Sequence, residues 1–260
     1  MDNKYKNVIY RPVYFIIGTF IITWCCAWLM PKVDYNSHTV LFTLLDFIEN
    51  ASPLLCAIIL LRKNVTGDKF FQHFLLGETD NKLSYVIVLL LFAGQFWNFY
   101  LFQVENADFS LPTFITVFVG QLLLGGGLEE AGWRGYLLPC LYKKYDILLS
   151  SLVVSIIWVI WHLPYFFISD SMQAGESLIS YSFIGIITGF ILAAIYLLTK
   201  SVLLCTLFHS WQNTIVMTVE ANMENVWFII VFISLGVVSV LLCLNKQKQD
   251  RIVYNVAAEK

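Results

Sequence analysis

Charge is what this sequence has least of. Asp, Glu, Lys and Arg together make up 13% of its 260 residues, about half the ~25% of a soluble domain, while 58% are hydrophobic. That balance excludes an ordinary water-soluble globule and points to a chain lying in a lipid bilayer. A net charge of -2 suggests no nucleic-acid role. The six cysteines show no CxxC spacing and mostly fall in apolar runs, so they read as small hydrophobes rather than as a zinc or disulfide framework. There is no repeat of fixed period and no low-complexity tract. A cleavable leader is not indicated. The first apolar run, behind Lys4, Lys6 and Arg11, ends in Trp24 to Pro31, where bulky residues replace the small-x-small cleavage pattern.

What is present is a series of long apolar runs. A helix that crosses a bilayer needs about 20 mostly apolar residues, and candidate spans fall at 13–30, 40–61, 83–104, 113–138, 148–168, 178–198, 202–219 and 226–244. The expected fold is therefore all-α: one transmembrane bundle of about eight helices over 1–245, with a short cytoplasmic tail at 246–260. Basic residues support that count. All Lys and Arg except Lys32 and Arg134 fall on the N-terminus, the even-numbered loops and the tail. By the positive-inside bias this is the cytoplasmic face, so a multi-pass cell-membrane protein with both termini inside is expected.

Against this background one stretch stands out: Gly125-Gly126-Gly127-Leu128-Glu129-Glu130-Ala131-Gly132-Trp133-Arg134-Gly135. Ionisable groups at bilayer depth are costly and mark function by default. Glu130 and Arg134 stand at i and i+4 in the favourable order for a helix ion pair, whereas Glu129 has no such cation. Two further spans carry Trp158-Val159-Ile160-Trp161-His162 and His209-Ser210-Trp211-Gln212-Asn213. Counted from the cytoplasmic turns at about 1.5 Å per residue, Glu129, His162 and His209 lie within about a turn and a half of one depth. This requires the fourth helix to run on past the triple glycine, with a bend near Pro139. The motif core is thus 113–219, with a buried polar site.

Other polar groups invite plainer readings. Asp46, Glu49 and Asn50 in the second span are expected to reach water by snorkelling, with a cavity-lining role as the alternative. Gln95 and Asn98 suggest an interhelical hydrogen-bond patch. Residues 70–76 suggest an interfacial helix, and His38 and His73 are expected to be solvated loop residues. The glycines allow either tight helix packing, the preferred reading, or close approach of substrate. Trp133, Trp158, Trp161 and Trp211 suggest packing, interface anchors or cavity walls.

Two histidines, a carboxylate and an amide can activate water and stabilise an oxyanion, as peptide hydrolysis requires, or can hold a divalent metal that acidifies water. HExxH, GxSG and a GxGD signature are all missing. The pattern that is present resembles the CPBP (Abi) family of intramembrane proteases, related to type-2 CAAX prenyl proteases and to bacteriocin-processing and immunity proteins. Glu129 to Arg134 matches its EExxxR motif, Trp158 to His162 its aromatic-xxxH motif, and His209 to Asn213 its HxxxN motif, in the same order. The resemblance implies an intramembrane endopeptidase. Glu129 and His162 would activate water, and His209 and Asn213 would hold the oxyanion. Glu130 would join this catalytic set, with Arg134 and Trp158 in support. It leaves the metal question open: a divalent ion such as zinc would be held by Glu129, His162 and His209, but the preferred reading needs no cofactor. The expected partners are the bilayer and a membrane-associated peptide or protein, lipidated in the CAAX case. Two alternatives remain at this point. One is a non-catalytic immunity or scaffold protein of the same fold. The other is a proton-coupled transporter, for which inverted repeats would be the sign.

Overall fold

The computed structural model describes residues 11–33, 39–61, 75–77, 79, 81–104, 109–168, 171 and 173–258, excepting the side chains of 39 and 251–258. His38, His73 and most of the 70–76 stretch lie outside these residues. The chain is helical almost throughout, because backbone polar groups in lipid must be satisfied within their own segment. The order is α1 (Pro12–Leu29), α2 (Thr39–Leu61), α3 (Lys82–Leu101), α4 (Leu111–Leu123), the short α5 (Glu130–Gly132) and α6 (Leu138–Tyr142), α7 (Ile147–Trp161), α8 (Leu178–Thr199), α9 (Val202–Thr218) and α10 (Val226–Ala258). Among the described residues, seven segments are long and apolar enough to cross a membrane. The expected eighth, α9, has 17 residues, about 26 Å at ~1.5 Å per residue.

Helix starts are set by short polar side chains at the span edges. Asn81, Ser110, Asp146, Ser177 and Ser201 each accept a hydrogen bond from a first-turn backbone N–H of α3, α4, α7, α8 and α9. These satisfy donors that a helix leaves open at its N-terminus. Between α8 and α9 the chain turns on Lys200, which takes the left-handed conformation at φ 55°. At the far ends of α3 and α9 an antiparallel bridge pairs Gln103 with Ala221.

Pro53 lies inside α2. It has no N–H for the Glu49 carbonyl one turn earlier, and Thr23 of α1 offers its hydroxyl to that oxygen at 3.3 Å. Thr23 also accepts from the Trp161 indole at 2.8 Å, which ties α1 to both α2 and the end of α7. The motif also packs closely on α2 at Pro53: a Cβ on Gly132 would lie 2.7 Å from the Pro53 carbonyl. Around these contacts Phe15, Trp133, Tyr136, Leu137 and Trp161 form a buried core.

The fourth span departs from expectation. It does not continue as one helix past the glycines. α4 stops at Leu123, Gly125 is extended at φ -106° and ψ -153°, and Gly126–Glu129 is a 3-10 turn. α5 then passes into a π-helical turn, Trp133–Leu137, before α6. The π turn ends just before Pro139, whose ring would clash with the Gly135 carbonyl in a regular α-helix and has no N–H to offer it. π turns of this kind are frequent at functional sites.

The remaining polar expectations divide. Asn98 donates to the Phe228 carbonyl of α10 at 3.4 Å, as an interhelical patch should. Gln95 is fully buried, and among the described residues its amide finds no hydrogen-bond partner. Glu49 does not snorkel: it is buried and accepts from the Tyr165 hydroxyl. Asp46, one turn away, is half-buried. All six cysteines are free, five of them buried.

Candidate active site

The break at Gly125 turns the first motif inward. Glu129 and Glu130, at the junction of the 3-10 turn and α5, are both buried, yet they meet different partners. Oε1 of Glu130 accepts from Arg134 Nη1 at 2.9 Å and lies 2.8 Å from Nδ1 of His209 on α9. The predicted pair therefore forms and extends to a third residue. A carboxylate oxygen accepts, so Nδ1 of His209 donates, and Nε2 is left for the site.

Glu129 has a partner that charge patterning does not reveal. Its Oε2 accepts from the indole N–H of Trp133 at 3.1 Å and of Trp158 at 2.7 Å. Buried indoles normally find an acceptor, and here two converge on one carboxylate oxygen. Trp161 and Trp211 are likewise satisfied, by the Thr23 hydroxyl and the Phe92 carbonyl. These tryptophans are therefore hydrogen-bond donors as well as packing residues.

Gly126 marks the centre. The position a Cβ would occupy there lies 2.7 Å from Asn213 Nδ2, 3.0 Å from His209 Nε2 and 3.1 Å from Glu129 Oε1. The first and third motifs thus converge on one point, which is open because residue 126 has no side chain. Gly127 serves packing instead: a Cβ there would lie within 2.4 Å of Ser210 Oγ on α9. The packing reading therefore holds at Gly127, while Gly126 leaves a point open between the two motifs.

His162 joins from the end of α7. Its ring sits 4.4 Å from that of Trp158, which lies 5.7 Å from that of His209. Nδ1 of His162 lies 2.9 Å from the Trp158 carbonyl. A carbonyl only accepts, so Nδ1 carries the proton and Nε2 of the neutral ring is an acceptor. Tyr181 of α8 stacks on Trp158 at 6.1 Å and completes an aromatic wall beside His162.

Two residues near the site carried no signal of their own in the motifs. Gln121, in the last turn of α4, accepts from Asn213 Nδ2 at 3.0 Å. Glu49, through Tyr165, borders His162, whose ring lies 6.2 Å from that of the tyrosine. A polar residue in an apolar span was the only available clue for either.

Among the described residues no three His, Cys, Asp or Glu side chains are grouped as an ion would need. Oε2 of Glu129 is held by two indoles and Nδ1 of His209 by Glu130, which leaves Glu129 Oε1 and His209 Nε2 to face the open point.

The family described as type II CAAX prenyl endopeptidase, Rce1-like, matches residues 109–215, a stretch that holds all three motifs. The chain is also 26% identical over 187 residues to the CAAX prenyl protease 2 of Methanococcus maripaludis, covering 66% of this chain and 68% of that protein.

Proposed function

From the premise that this chain belongs to the CPBP family of CAAX-type intramembrane proteases, we propose that it hydrolyses a peptide bond of a membrane-associated, prenylated peptide or protein, using water activated by its own side chains. The observation that carries the mechanism is the convergence on Gly126. Glu129 Oε1, His209 Nε2 and Asn213 Nδ2 all lie within 3.1 Å of one point.

Acceptors and donors divide by role. Glu129 Oε1 and His162 Nε2 accept hydrogen bonds from water, and Glu129 takes its proton as the oxygen attacks the scissile carbonyl carbon. The former carbonyl oxygen becomes an oxyanion. Asn213 donates to it, and so does His209 as the imidazolium, its Nδ1–H held by Glu130. The proton on Glu129 then passes to the leaving nitrogen and the C–N bond breaks. Trp133 and Trp158 hold the other Glu129 oxygen, so the carboxylate keeps its orientation through the cycle. Arg134 holds Glu130, and through it His209.

Purified protein in lipid vesicles, given a fluorogenic farnesylated peptide ending in a CAAX sequence, tests the reading. The expected result is cleavage of the farnesylated peptide, weaker cleavage of the same peptide without its lipid, and none by Glu129→Gln. Equal cleavage with and without the lipid would remove the prenyl requirement. Full activity of Glu129→Gln would remove the mechanism.

A further inference from the structure

An asparagine amide has nearly the same shape whichever way it is turned, but only its N–H end can hold an oxyanion. Asn213 is half-buried on α9, where nothing in its own helix selects the sense. Gln121 of α4 does. Its Oε1 accepts from Asn213 Nδ2 at 3.0 Å. The sense of Gln121 is in turn set by Met217, whose sulfur lies 3.4 Å from Gln121 Nε2. A thioether has no hydrogen to give, so the nitrogen of Gln121 must face it and the oxygen must face Asn213. One N–H of Asn213 is then used by Gln121. The second belongs to the same nitrogen, which stands 2.7 Å from the open position at Gly126.

Gly125 is part of the arrangement. A Cβ there would lie 2.6 Å from Oε1 and 2.9 Å from Cδ of Gln121. Only a bare backbone leaves the Gln121 amide where it is.

We propose that Gln121 is a positioning residue: a relay from Met217 through Gln121 turns the N–H end of Asn213 to the reaction centre. The inference rests on the peptidase reading above. It adds a residue on α4 outside the three motifs and gives the first glycine of the triplet a role distinct from those of the second and third.

The test measures kcat and KM of wild type, Gln121→Leu, Gln121→Glu and Gly125→Ala on the farnesylated CAAX peptide, with thermal unfolding alongside. Gln121→Leu is repeated in the Asn213→Ala background. Loss of an oxyanion donor costs about 100- to 1,000-fold in turnover, so a donor that is present but free to turn should cost about 10-fold in kcat at nearly constant KM. Gln121→Glu, which can only accept, should keep kcat within about two- to threefold of wild type. Gly125→Ala, which displaces the amide, should fall with Gln121→Leu. In Asn213→Ala, Gln121→Leu should cost nothing further. An unchanged kcat in Gln121→Leu overturns the inference, as does the same loss with and without Asn213, or a Gln121→Glu as weak as Gln121→Leu. If Gln121→Leu does not fold, Gln121→Glu and Gly125→Ala carry the comparison. Wild type that leaves the peptide intact overturns the peptidase reading and this inference with it. Wild-type cleavage with an indifferent Gln121 overturns this inference alone.

Discussion

Trp158 donates its indole N–H to Oε2 of Glu129 at 2.7 Å, so the carboxylate in the first motif is held by the aromatic residue that opens the second. The same ring lies 4.4 Å from His162 and 5.7 Å from His209, and therefore stands among three of the residues assigned to the chemistry. Trp158→Phe removes the donor and keeps an aromatic ring. A hydrogen bond to a charged group contributes about 1.5–3 kcal/mol, so turnover should fall about 10- to 100-fold. Unfolding temperature should change little, because Trp133 still holds Oε2. A Trp158→Phe enzyme with wild-type turnover would reduce Trp158 to packing.

Two glycines of the first motif region, Gly126 and Gly132, should respond differently to alanine. At Gly126 the new methyl would occupy the point shared by Glu129, His209 and Asn213, each about 3 Å away. It displaces the reacting atoms and meets only side-chain ends. Turnover should drop at least as far as for loss of one oxyanion donor, about 100-fold or more, with near-normal unfolding. At Gly132 the methyl meets Pro53 backbone at 2.7 Å, and overpacking of about 1–3 kcal/mol should appear as lost folded yield. Parallel measurement of activity and thermal unfolding separates them. A stable, active Gly126→Ala would move the reaction centre elsewhere.

What could be read in advance follows from the medium. In an apolar span each of Glu129, Glu130, Arg134, His162, His209 and Asn213 is conspicuous, and the i, i+4 spacing of Glu130 and Arg134 suffices for their pair. The contacts that orient Glu129 were not legible, because Trp158 lies 29 residues away on another helix and tryptophan is ordinary in membrane helices. Nor was the break in the fourth span. Three glycines permit either a close-packed helix or an extended link, and only the fit of Gln121, His209 and Ser210 around them selects the link. Glu49 is buried rather than snorkelling because it accepts from Tyr165, a contact that depends on how α2 meets the segment after α7, which hydropathy does not encode.

Glu130 serves both Arg134 and His209, so Arg134→Ala should do more than reduce rate. It strands a buried carboxylate, a change that costs about 3–5 kcal/mol. Folded yield and unfolding temperature should both fall. Arg134→Lys should recover only part of each, because the planar fork is lost. Normal unfolding of Arg134→Ala would show that Glu130 needs only His209.

The distribution of basic residues predicts the orientation in the membrane. Reporters fused after Lys260 and in the loop at Gln173 to Gly175 should report opposite sides, the first cytoplasmic. If both report one side, the order of crossings derived from the spans is wrong.

Loss of activity on mutating Glu129, His162 or His209 cannot distinguish a metal-free mechanism from a metal-dependent one, since both use all three. The orientation of His162 cannot either, because an Nδ1–H held by a carbonyl also suits a metal-bound imidazole. The distinction lies in what the other atoms do. Glu129 has one oxygen occupied by two indole donors, which leaves a single oxygen for water. Asn213, one turn after His209 on the same helix, is an amide and a poor zinc ligand. The expectation is that protein treated thoroughly with chelator keeps its turnover, and that elemental analysis of active preparations finds metal well below one ion per chain. Asn213→Ala should then lose about 100- to 1,000-fold in kcat with KM little changed, as for a lost oxyanion donor. Zinc bound one per chain, with activity lost on chelation and restored on its return, would overturn the metal-free assignment and make Glu129, His162 and His209 its ligands.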